Sequence, residues 1–585
     1  MRERFDCSQG IGKNNGEIMI DEIILGKVKL QISNQENIRL GKKYFEENEI
    51  ILKPFKEFKI GSWKEWEIDP FKNRTWQWKL HWFSFLPFLL SYHHHLKKDE
   101  ILDEVTNIIN SWLDSYINTS KETVNFEFIW HDHCMALRAE QLVGLYLYLK
   151  HYGKTKWLCK NEKFIDRLMN AIEKHALLLS KDEYFTKYTN HGLEQARVLL
   201  LLGLFLKNDE YRLLAISRIK DEMLFAFTDE GVHVENSPTY HIFVLKIFIE
   251  IVKTYPECVI EELAIIFDRI SKKALGFITH ILRPDGNVPI IGDSEQDKTS
   301  DVYRSFYENT QEYPNLLYAL SLGNKGIKPN ETNVVYEKSG YIVFRDKWHD
   351  KEEFNQAIQL VCKAGCLSQY HHHQDEGHIN LYAFGEDWLI DGGLYSHNRS
   401  DPIRKYMRSR MAHNIPLITN ANYDIEFNHR INAWKVLDYS TDKIKPWCKI
   451  ELKVLRNIIH HRTISMNFLD NSFDIEDEII MEDGLERDVT MQWHIPLDKH
   501  IIISGTNLVT IKGRSQCMCL NIKHAIPDEI FTRRGIKNER VFSVISLKPN
   551  VYHDSYVLRY VFKNKKYLKI THCFDFKLSN AIKEL

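Results

Sequence analysis

The spacing of apolar residues predicts a long helical region in the first half of the chain. Between about residues 76 and 282, apolar positions recur every three to four residues, which is the repeat of one buried helix face. The segments with this pattern are 76–92, 100–116, 126–152, 163–179, 192–206, 209–227, 240–255 and 261–282. Most of the links between them are short and polar, so we expect antiparallel helical hairpins arranged in a ring or arc.

The residues before this region carry a different pattern. Residues 1–75 are mixed and turn-rich, and the β-branched clusters between residues 18 and 32 predict strand. They are expected to form an N-terminal mixed segment that packs on the helical domain, which would span residues 76–330. The sequence places one more helix near residues 302–322.

From residue 335 onward the apolar period becomes two, which indicates strands. The clearest segments are 341–344, 357–361, 556–562 and 567–571. The last two flank residues 563–566, which have the composition of a hairpin loop. Many short strands up to the C-terminus predict an antiparallel β-sandwich domain over residues 335–585.

Composition narrows the class of protein. The 585 residues are 44% hydrophobic and 27% charged, as in an ordinary globular protein of two or three domains. The net charge is -2, so no global field attracts nucleic acid or an anionic membrane. We therefore expect neither a nucleic-acid partner nor a membrane span, and the oligomeric state stays open.

The ends and apolar runs of the sequence bear on localisation. The longest apolar run, 83–90, is far shorter than a membrane span and contains Pro87. The charged N-terminus has no apolar segment behind it, so no secretory signal is visible. The expectation is a cytoplasmic protein, although secretion by another route stays open.

Histidines cluster near the start of the predicted β-domain. His371 and His373 have alternate spacing, so on a strand both rings would point to one face. Asp391 and His413 follow, and two histidines with one aspartate suit zinc, with a fourth position left for water or another ligand. His429 is a rival to His413 for the third metal position.

The helical half has polar clusters of its own. Asn190 and His191 precede the apolar segment 192–206, and Ser237 before Pro238 is typical of a helix start. This start would place Tyr240 and His241 at a helix N-terminus, where the dipole favours a phenolate or a bound anion. No P-loop, dinucleotide fingerprint or G-x-S-x-G elbow is present.

These motifs, taken in order, resemble those of heparinase II/III-type polysaccharide lyases. They are Asn190-His191, Ser237-Pro238 with Tyr240-His241, Ser339-Gly340-Tyr341, His371-x-His373-x-Asp375, Asp391-Gly392-Gly393 and His413-Asn414. The resemblance covers roughly residues 70–480. It implies an incomplete (α/α) toroid followed by an antiparallel β-sandwich, with the active site between them. It also implies cleavage of an acidic, uronate-containing polysaccharide or oligosaccharide by β-elimination.

The resemblance also implies roles for particular residues. Tyr240 would be the general acid and a candidate base, and His371 a base or a contact to the substrate carboxylate. Asn190 and His191 would neutralise that carboxylate. The implied substrate contacts are Arg138, His241 and Tyr395, the last preferred over Tyr406. The implied ligands of a structural zinc are His373, Asp391 and His413.

Three other functions remain open at this stage. A uronate C5-epimerase would remove the same proton and return it to the opposite face. A glycoside hydrolase would need two carboxylates across a cleft, for which Glu235 and Asp132 are candidates. A non-catalytic glycan-binding protein would have no activity to lose when Tyr240 or His371 is replaced.

Overall fold

A computed structural model describes residues 13–61, 63–124, 126–296, 312–423 and 426–578. By their contacts these residues form two compact units. Unit 1 contains the described residues up to Phe225 together with Ile247–Phe267. Unit 2 contains Ala226–Lys246 and the described residues from Asp268 onward. The domain limits inferred from the sequence stay a prediction.

Helices dominate the chain up to residue 281, as predicted. In the described residues they are α1 (Lys13–Ile32), α2 (Gln35–Glu47), α3 (Arg74–His81), α4 (Leu86–Leu96), α5 (Asp99–Tyr116), α6 (Asp132–Tyr152), α7 (Thr155–Lys160), α8 (Glu162–Ser180), α9 (Asn190–Phe205), α10 (Asp209–Ala226), α11 (Pro238–Thr254) and α12 (Glu257–Ile281). The later helices are α13 (Pro314–Leu320), α14 (Pro402–Arg408) and α15 (Phe427–Arg430). The rest of the predicted helix near 302–322 lies largely outside the described residues.

The predicted strand between residues 18 and 32 is wrong, because this segment belongs to helix α1. Ile20, Ile24, Val28 and Ile32 are all buried. A spacing of four places these residues on one face of a helix, and it would place them on one face of a strand as well. The β-branched composition therefore does not distinguish the two structures. Burial of this face decides for helix.

The segment predicted as one helix over 76–92 is two helices, α3 and α4. The break falls at Phe83, whose φ of 62° lies in the left-handed region and ends the helix. Pro87 then stands in the first turn of α4, where its missing N–H costs no hydrogen bond.

Unit 2 is rich in antiparallel strands. After the short pair β1 (Glu49–Ile50) and β2 (Phe58–Lys59) of unit 1, the described strands are β3 (Val334–Tyr336), β4 (Tyr341–Arg345), β5 (Gln359–Lys363), β6 (His378–Ala383), β7 (Glu386–Leu389), β8 (Leu417–Ile418), β9 (Trp434–Ser440), β10 (Trp447–Leu455), β11 (Ile458–Asn467), β12 (Ser472–Met481), β13 (Arg487–Ile495), β14 (His500–Ser504), β15 (Leu508–Lys512), β16 (Gln516–Lys523), β17 (Glu529–Lys537), β18 (Arg540–Lys548), β19 (Val551–Asp554), β20 (Tyr556–Lys565) and β21 (Tyr567–Leu578).

Among the described residues these strands form three sheets. Their orders are β3-β4-β5-β6-β7, β14-β15-β16-β21-β12-β11-β10-β9 and β19-β18-β17-β20-β13-β8. Apolar side chains from all three sheets, among them Leu360, Ile475 and Leu558, form one core. In strand β11, buried and half-buried residues alternate with the period of two that the sequence indicates, so one face of the strand is buried.

The hairpin predicted at residues 563–566 is wrong. Strand β20 pairs with β13 and β17, whereas β21 pairs with β12 and β16. The two strands thus belong to different sheets, and the short link at Lys566 passes from one sheet to the other. None of the described helices has the combination of length and apolar sequence that a membrane crossing requires.

Candidate active site

Tyr240 lies in the first turn of α11, which begins at Pro238 as the sequence predicts. The Ser237 hydroxyl accepts a hydrogen bond from the Tyr240 backbone N–H at 3.4 Å, which caps the helix. The phenol ring stacks on the imidazole of His371, with ring centroids 3.5 Å apart and planes inclined by 20°. Both residues belong to unit 2.

His371 lies in the loop between β5 and β6, so its predicted place on a strand is wrong. Its φ of 51° is in the left-handed region, a conformation that a non-glycine residue keeps only when its surroundings hold it. Its Nδ1 lies 2.9 Å from Asp293 Oδ2, and its Nε2 lies 3.5 Å from Glu235 Oε2. A carboxylate therefore stands beside each ring nitrogen.

Asp293 is the carboxylate that joins the two histidines of the predicted site. Its Oδ2 is bonded to His371, and its Oδ1 lies 2.8 Å from His373 Nε2. Arg404 of α14 donates to both oxygens, at 2.5 Å and 2.8 Å. Burial opposes the charge on Asp293, but the hydrogen bonds from His371 and His373 outweigh burial and hold the pKa well below its usual range.

Burial acts in the other direction on the tyrosine. Burial, and then the charges of Asp293 and Glu235, raise the pKa of Tyr240 well above its usual value. The hydroxyl is therefore protonated at neutral pH. In this state Tyr240 can give a proton, which suits a general acid.

Three loops of unit 2 are fastened together around this site. The Asn236 amide donates to the carbonyl oxygens of Ser368 and Tyr370, at 2.8 Å and 3.0 Å, and accepts from the Leu367 N–H at 2.8 Å. Gly292 has a φ of 58°, and a Cβ added there would meet the carbonyl oxygens of Asn236 and His371 at 2.7 Å and 2.8 Å. The three loops approach this closely because residue 292 has no side chain.

The predicted metal ligands His373, Asp391 and His413 are brought together and are fully buried. Each can offer a ligand atom within 4.8 Å of the others. His413 Nδ1 lies 3.2 Å from Asp391 Oδ2, while His373 Nδ1 and His413 Nε2 are buried with no hydrogen-bond partner in the described residues. Orphaned nitrogens beside a carboxylate are what a divalent cation would satisfy, so the residues fit zinc.

Burial also keeps these histidines in the form that binds metal. Burial lowers the pKa of His373 well below its usual range and that of His413 to about 4. Both rings are therefore neutral at neutral pH, and a ligating imidazole must be neutral. A further histidine, His378, lies beside this set, with its Nε2 3.2 Å from Asp391 Oδ2.

Two other candidate residues, His429 and Asp375, are not part of this set of metal ligands. His429, the alternative third ligand, is exposed on α15, with Nδ1 3.5 Å from Glu426. Asp375 is fully buried and accepts from Lys363 Nζ through both oxygens, at 2.8 Å and 3.0 Å. Asp375 is thus one half of a buried ion pair.

Asn190 and His191 belong to unit 1 and are the first two residues of α9. The Thr189 hydroxyl caps this helix by accepting from the Gly192 N–H at 3.1 Å. His191 Nδ1 lies 3.3 Å from both carboxylate oxygens of Asp132. Both residues are half-buried, so their outer faces reach solvent.

Two of the predicted substrate contacts, Arg138 and His241, have buried side chains. Arg138 donates to the carbonyl oxygens of His81 and Ile129 and to His175, and stacks on Trp112. His241 Nε2 lies 3.0 Å from the Ala274 carbonyl oxygen. The described hydrogen bonds of both side chains are made within the fold, so their contact with a sugar stays a prediction.

The two candidate tyrosines after Asp391 differ in exposure. Tyr395 is partly buried, has a φ of 59°, and its ring centroid is 5.9 Å from that of Tyr552. Tyr406 is buried and donates its hydroxyl to the Phe542 carbonyl oxygen at 3.0 Å. Tyr395 therefore stays a candidate for substrate contact, and Tyr406 has a structural role.

The two halves of the chain match two family models. Residues 19–317 match the heparinase II/III N-terminus, and residues 328–570 match the heparinase II/III-like C-terminal domain. Together these matches cover most of the chain.

The chain belongs to the heparinase II/III family.

Two relatives in this family are heparin-sulfate lyases. The chain is 22% identical over 407 residues to the one from Pedobacter heparinus, covering 65% of this chain and 57% of the relative. It is 21% identical over 466 residues to the one from Bacteroides stercoris, covering 72% and 65%. The chain thus spans less than two thirds of the length of each of these relatives.

Solved structures of heparinases share the fold. A heparinase III crystal structure superposes with a TM-score of 0.76 at 14% identity, over 96% of this chain and 92% of that one. A heparan sulfate lyase from Pedobacter heparinus gives 0.68 at 17% identity, over 96% and 88%. A chondroitin AC lyase from Streptomyces coelicolor gives 0.54 at 10%, over 96% and 83%. These likenesses confirm the predicted fold class, an incomplete (α/α) toroid followed by an antiparallel β-sandwich.

Within this heparinase II/III fold, the sequence reasoning missed residues that orient the histidines. The sequence pattern points to Glu235 only as a hydrolase candidate, and it points to neither Asp293 nor Arg404. Asp293 follows the short apolar segment Ile290-Ile291-Gly292, and this local pattern does not connect it to the histidines.

Proposed function

We propose that the protein is a polysaccharide lyase that cleaves uronate-containing, glycosaminoglycan-like glycans by β-elimination. The observation that carries this proposal is the stack of Tyr240 on His371, with Asp293 bonded to His371. A protonated phenol and an oriented imidazole within van der Waals contact are a proton donor and a proton acceptor at one place. Membership of the heparinase II/III family supports the same reaction.

The reaction needs one proton taken and one given. A base removes the C5 proton of the uronate, the C5–H electron pair forms the C4=C5 double bond, and the C4–O bond breaks. The leaving glycosidic oxygen takes its proton from Tyr240, whose raised pKa keeps the hydroxyl protonated until this step. His371, held through Nδ1 by Asp293, is then the candidate base.

The substrate carboxylate must also be neutralised, because the C5 proton is hard to remove beside a negative charge. Donors aimed at a developing enolate are worth several kcal/mol in other enzymes, ~3–4 kcal/mol for one donor. The amide of Asn190 and the ring of His191 are half-exposed donors of the right type. We assign carboxylate neutralisation to these two residues.

We further propose a structural zinc held by His373, Asp391 and His413. The orphaned buried nitrogens of His373 and His413 beside Asp391 support it. When bound, zinc would cross-link the loop before β6, the segment after β7 and the turn after α14. His373 would keep its Nε2 on Asp293, so the metal would brace the carboxylate that orients His371.

The experiment is a panel of uronate polysaccharides and oligosaccharides incubated with the protein. Release of unsaturated uronate is followed by its near-ultraviolet absorbance. Tyr240→Phe should abolish release, with a loss of at least about 100-fold because general acid catalysis contributes this much or more. Tyr406→Phe is the matched control, since it removes a buried tyrosine hydroxyl of the same unit that lies on the Phe542 carbonyl oxygen.

Two results would contradict the proposal. Equal loss of activity in Tyr240→Phe and Tyr406→Phe would mean that any buried hydroxyl matters only for folding. Entry of solvent deuterium at C5 without chain cleavage would instead show an epimerase.

A further inference from the structure

Asp132 of unit 1 collects more hydrogen-bond donors than a helix cap requires. It stands at the first position of α6, where its Oδ1 accepts from the His133 N–H at 2.6 Å. Its Oδ2 accepts from the Thr186 hydroxyl. His131 Nδ1 lies 2.8 Å from Oδ1, and His191 Nδ1 lies 3.3 Å from both oxygens.

These donors keep the carboxylate charged. Burial opposes the charge, but hydrogen bonds from His131 and His191 outweigh it and hold the pKa of Asp132 well below its usual range. An ionised carboxylate only accepts hydrogen bonds. The His191 nitrogen that is hydrogen-bonded to Asp132 must therefore carry a proton.

The second ring nitrogen of His131, Nε2, indicates which nitrogen of that ring can carry a proton. Arg74 Nη2 lies 3.2 Å from His131 Nε2, and a guanidinium can only donate. His131 Nε2 therefore accepts, which leaves Nδ1, 2.8 Å from Asp132 Oδ1, as the ring nitrogen that can carry a proton. The arginine also argues against a metal ion shared by His131, Asp132 and His191, although their ligand atoms lie within 4.8 Å of one another.

His191 is held on one edge and open on the other. Its Nδ1 faces Asp132, its ring packs on His133 with centroids 4.6 Å apart, and 33% of its side chain is exposed. In the described part of the chain no group is hydrogen-bonded to its Nε2. Nε2 is therefore the nitrogen that a ligand can reach.

We propose that Asp132 is the positioning residue of His191. It fixes the ring with Nδ1–H on the carboxylate and leaves Nε2 facing outward, where a second proton held on Nε2 can be donated to the substrate carboxylate. This inference rests on the proposed function for the role of His191, but the arrangement of the ring does not depend on any substrate.

The first test is the tautomer of His191, measured by long-range ¹H–¹⁵N NMR on the full chain labelled at histidine. The measurement is made near pH 8.5, about two units above the usual histidine pKa, so that unpaired rings are neutral. The signal is assigned by its loss in His191→Gln. We expect Nδ1 to carry a proton. A neutral ring protonated only on Nε2 would overturn the proposal without any variant of Asp132.

The second test replaces the carboxylate by its amide. Asp132→Asn replaces one of the two acceptor oxygens by an NH₂ donor. Because His191 Nδ1 lies 3.3 Å from both oxygens of Asp132, it faces this donor in either orientation of the amide. We expect the His191 proton to move to Nε2. We expect kcat/KM to fall roughly 10- to 100-fold, as for other residues that orient a functional histidine.

The matched control is Asp99→Asn. Asp99 is likewise the first residue of a helix, α5, but its Oδ1 lies 2.8 Å from Lys154 Nζ and 39% of its side chain is exposed. It should change neither the tautomer nor the rate. An unchanged His191 tautomer in Asp132→Asn would overturn the proposal, and so would a cation that binds the native protein and is lost in His131→Gln.

The two levels of the proposal fail separately. If no glycan yields unsaturated product, the proposed function fails while the NMR result still stands. If product forms but Asp132→Asn is as active as the native protein, the lyase assignment stands and the positioning role of Asp132 is wrong.

Discussion

Asp293 divides its carboxylate between two tasks. One oxygen is bonded to His371, which stacks on Tyr240, and the other to His373, a proposed zinc ligand. The guanidinium of Arg404 donates to both oxygens of Asp293 and balances its negative charge. In metal sites a carboxylate behind a ligand histidine fixes its tautomer. Here the same carboxylate also orients the histidine beside the tyrosine, so the proposed zinc site and the proposed reacting groups share one support.

Replacing Asp293 should therefore affect metal and rate together. We expect Asp293→Asn to lower zinc affinity roughly 10- to 100-fold and to reduce kcat by a similar factor. Removing one partner of a buried ion pair also costs about 3–5 kcal/mol of stability. Zinc affinity is measured by chelator competition, kcat by product absorbance, and stability by denaturant unfolding.

Asp477 provides the control for this stability loss. It is buried in the same unit, accepts from Arg462 at 2.7 Å and 3.0 Å, and lies 2.6 Å from His460. Asp477→Asn should destabilise to a similar extent while leaving zinc affinity unchanged. If both variants lose zinc equally, Asp293 has no special link to the metal.

At this scale the sequence predicted residues whose role is local. Ser237, Pro238 and Tyr240 are neighbours, and a helix start is written in adjacent residues. Asp293 is about 80 positions from His371 and His373, and no spacing rule joins them. The burial of Arg138 was also not predictable, since an arginine in a polar cluster looks the same in sequence whether it faces solvent or the carbonyl oxygens of a core.

Among the elements, the approach of three loops in unit 2 places the candidate site. Residues 235–240, 291–294 and 367–375 are joined by the hydrogen bonds of Asn236 and by the space at Gly292. Loops carry functional residues when a rigid scaffold holds them, and here α11 and β5 supply the scaffold.

A side chain at Gly292 should separate these loops. We expect Gly292→Ala to reduce kcat/KM at least tenfold, because its Cβ would lie 2.7 Å and 2.8 Å from two carbonyl oxygens. Gly484→Ala is the control, with a similar φ of 68° but no atom within 4 Å of the added Cβ. It should cost only the left-handed strain of about 1–2 kcal/mol.

Activity and unfolding free energy, measured on both variants, separate the two effects. Equal activity in Gly292→Ala and the native protein would show that the loops tolerate a wider spacing. The close approach of the loops at Gly292 would then not explain the contact between Tyr240 and His371.

The predictability of elements followed their length and periodicity. The predicted ends of helices α5 and α8 agree with the structure within a residue or two, because their amphipathic repeats are long. The β-branched residues of segment 18–32 fit a helix or a strand, so its composition predicts strand although the segment is helical. Strands β20 and β21 looked like a hairpin because they are adjacent in sequence, but strand partners are set by the core and not by the length of a link.

For the molecule as a whole, a structural zinc would add a cross-link that chain length alone does not provide. A ligand that binds only the folded state stabilises it by an amount that grows with its concentration, about 2.7 kcal/mol at 100 times Kd. The ligand set is buried, so its loss should be felt by all of unit 2.

Two histidine variants test this zinc. His413→Ala should lose the metal and unfold at a lower temperature, and a chelator should not lower that temperature further. His429→Ala should keep the metal and the native unfolding temperature, because its ring is 64% exposed on α15. The readouts are metal analysis and thermal unfolding with and without chelator. Metal retained in His413→Ala and lost in His429→Ala would reverse the assignment.

The central claim is β-elimination on a uronate glycan, and the mass of the product tests it most directly. A defined uronate oligosaccharide is incubated with the native protein in ¹⁸O-labelled water, and both fragments are weighed. The expected result is that the fragment from the reducing side of the cleaved bond, whose new terminal residue is the unsaturated uronate, is lighter by one water than the saturated sugar. No ¹⁸O should enter at the cleaved bond, and Tyr240→Phe should not cleave. Saturated fragments that carry one ¹⁸O at the cleaved bond would mean hydrolysis, and would contradict the account.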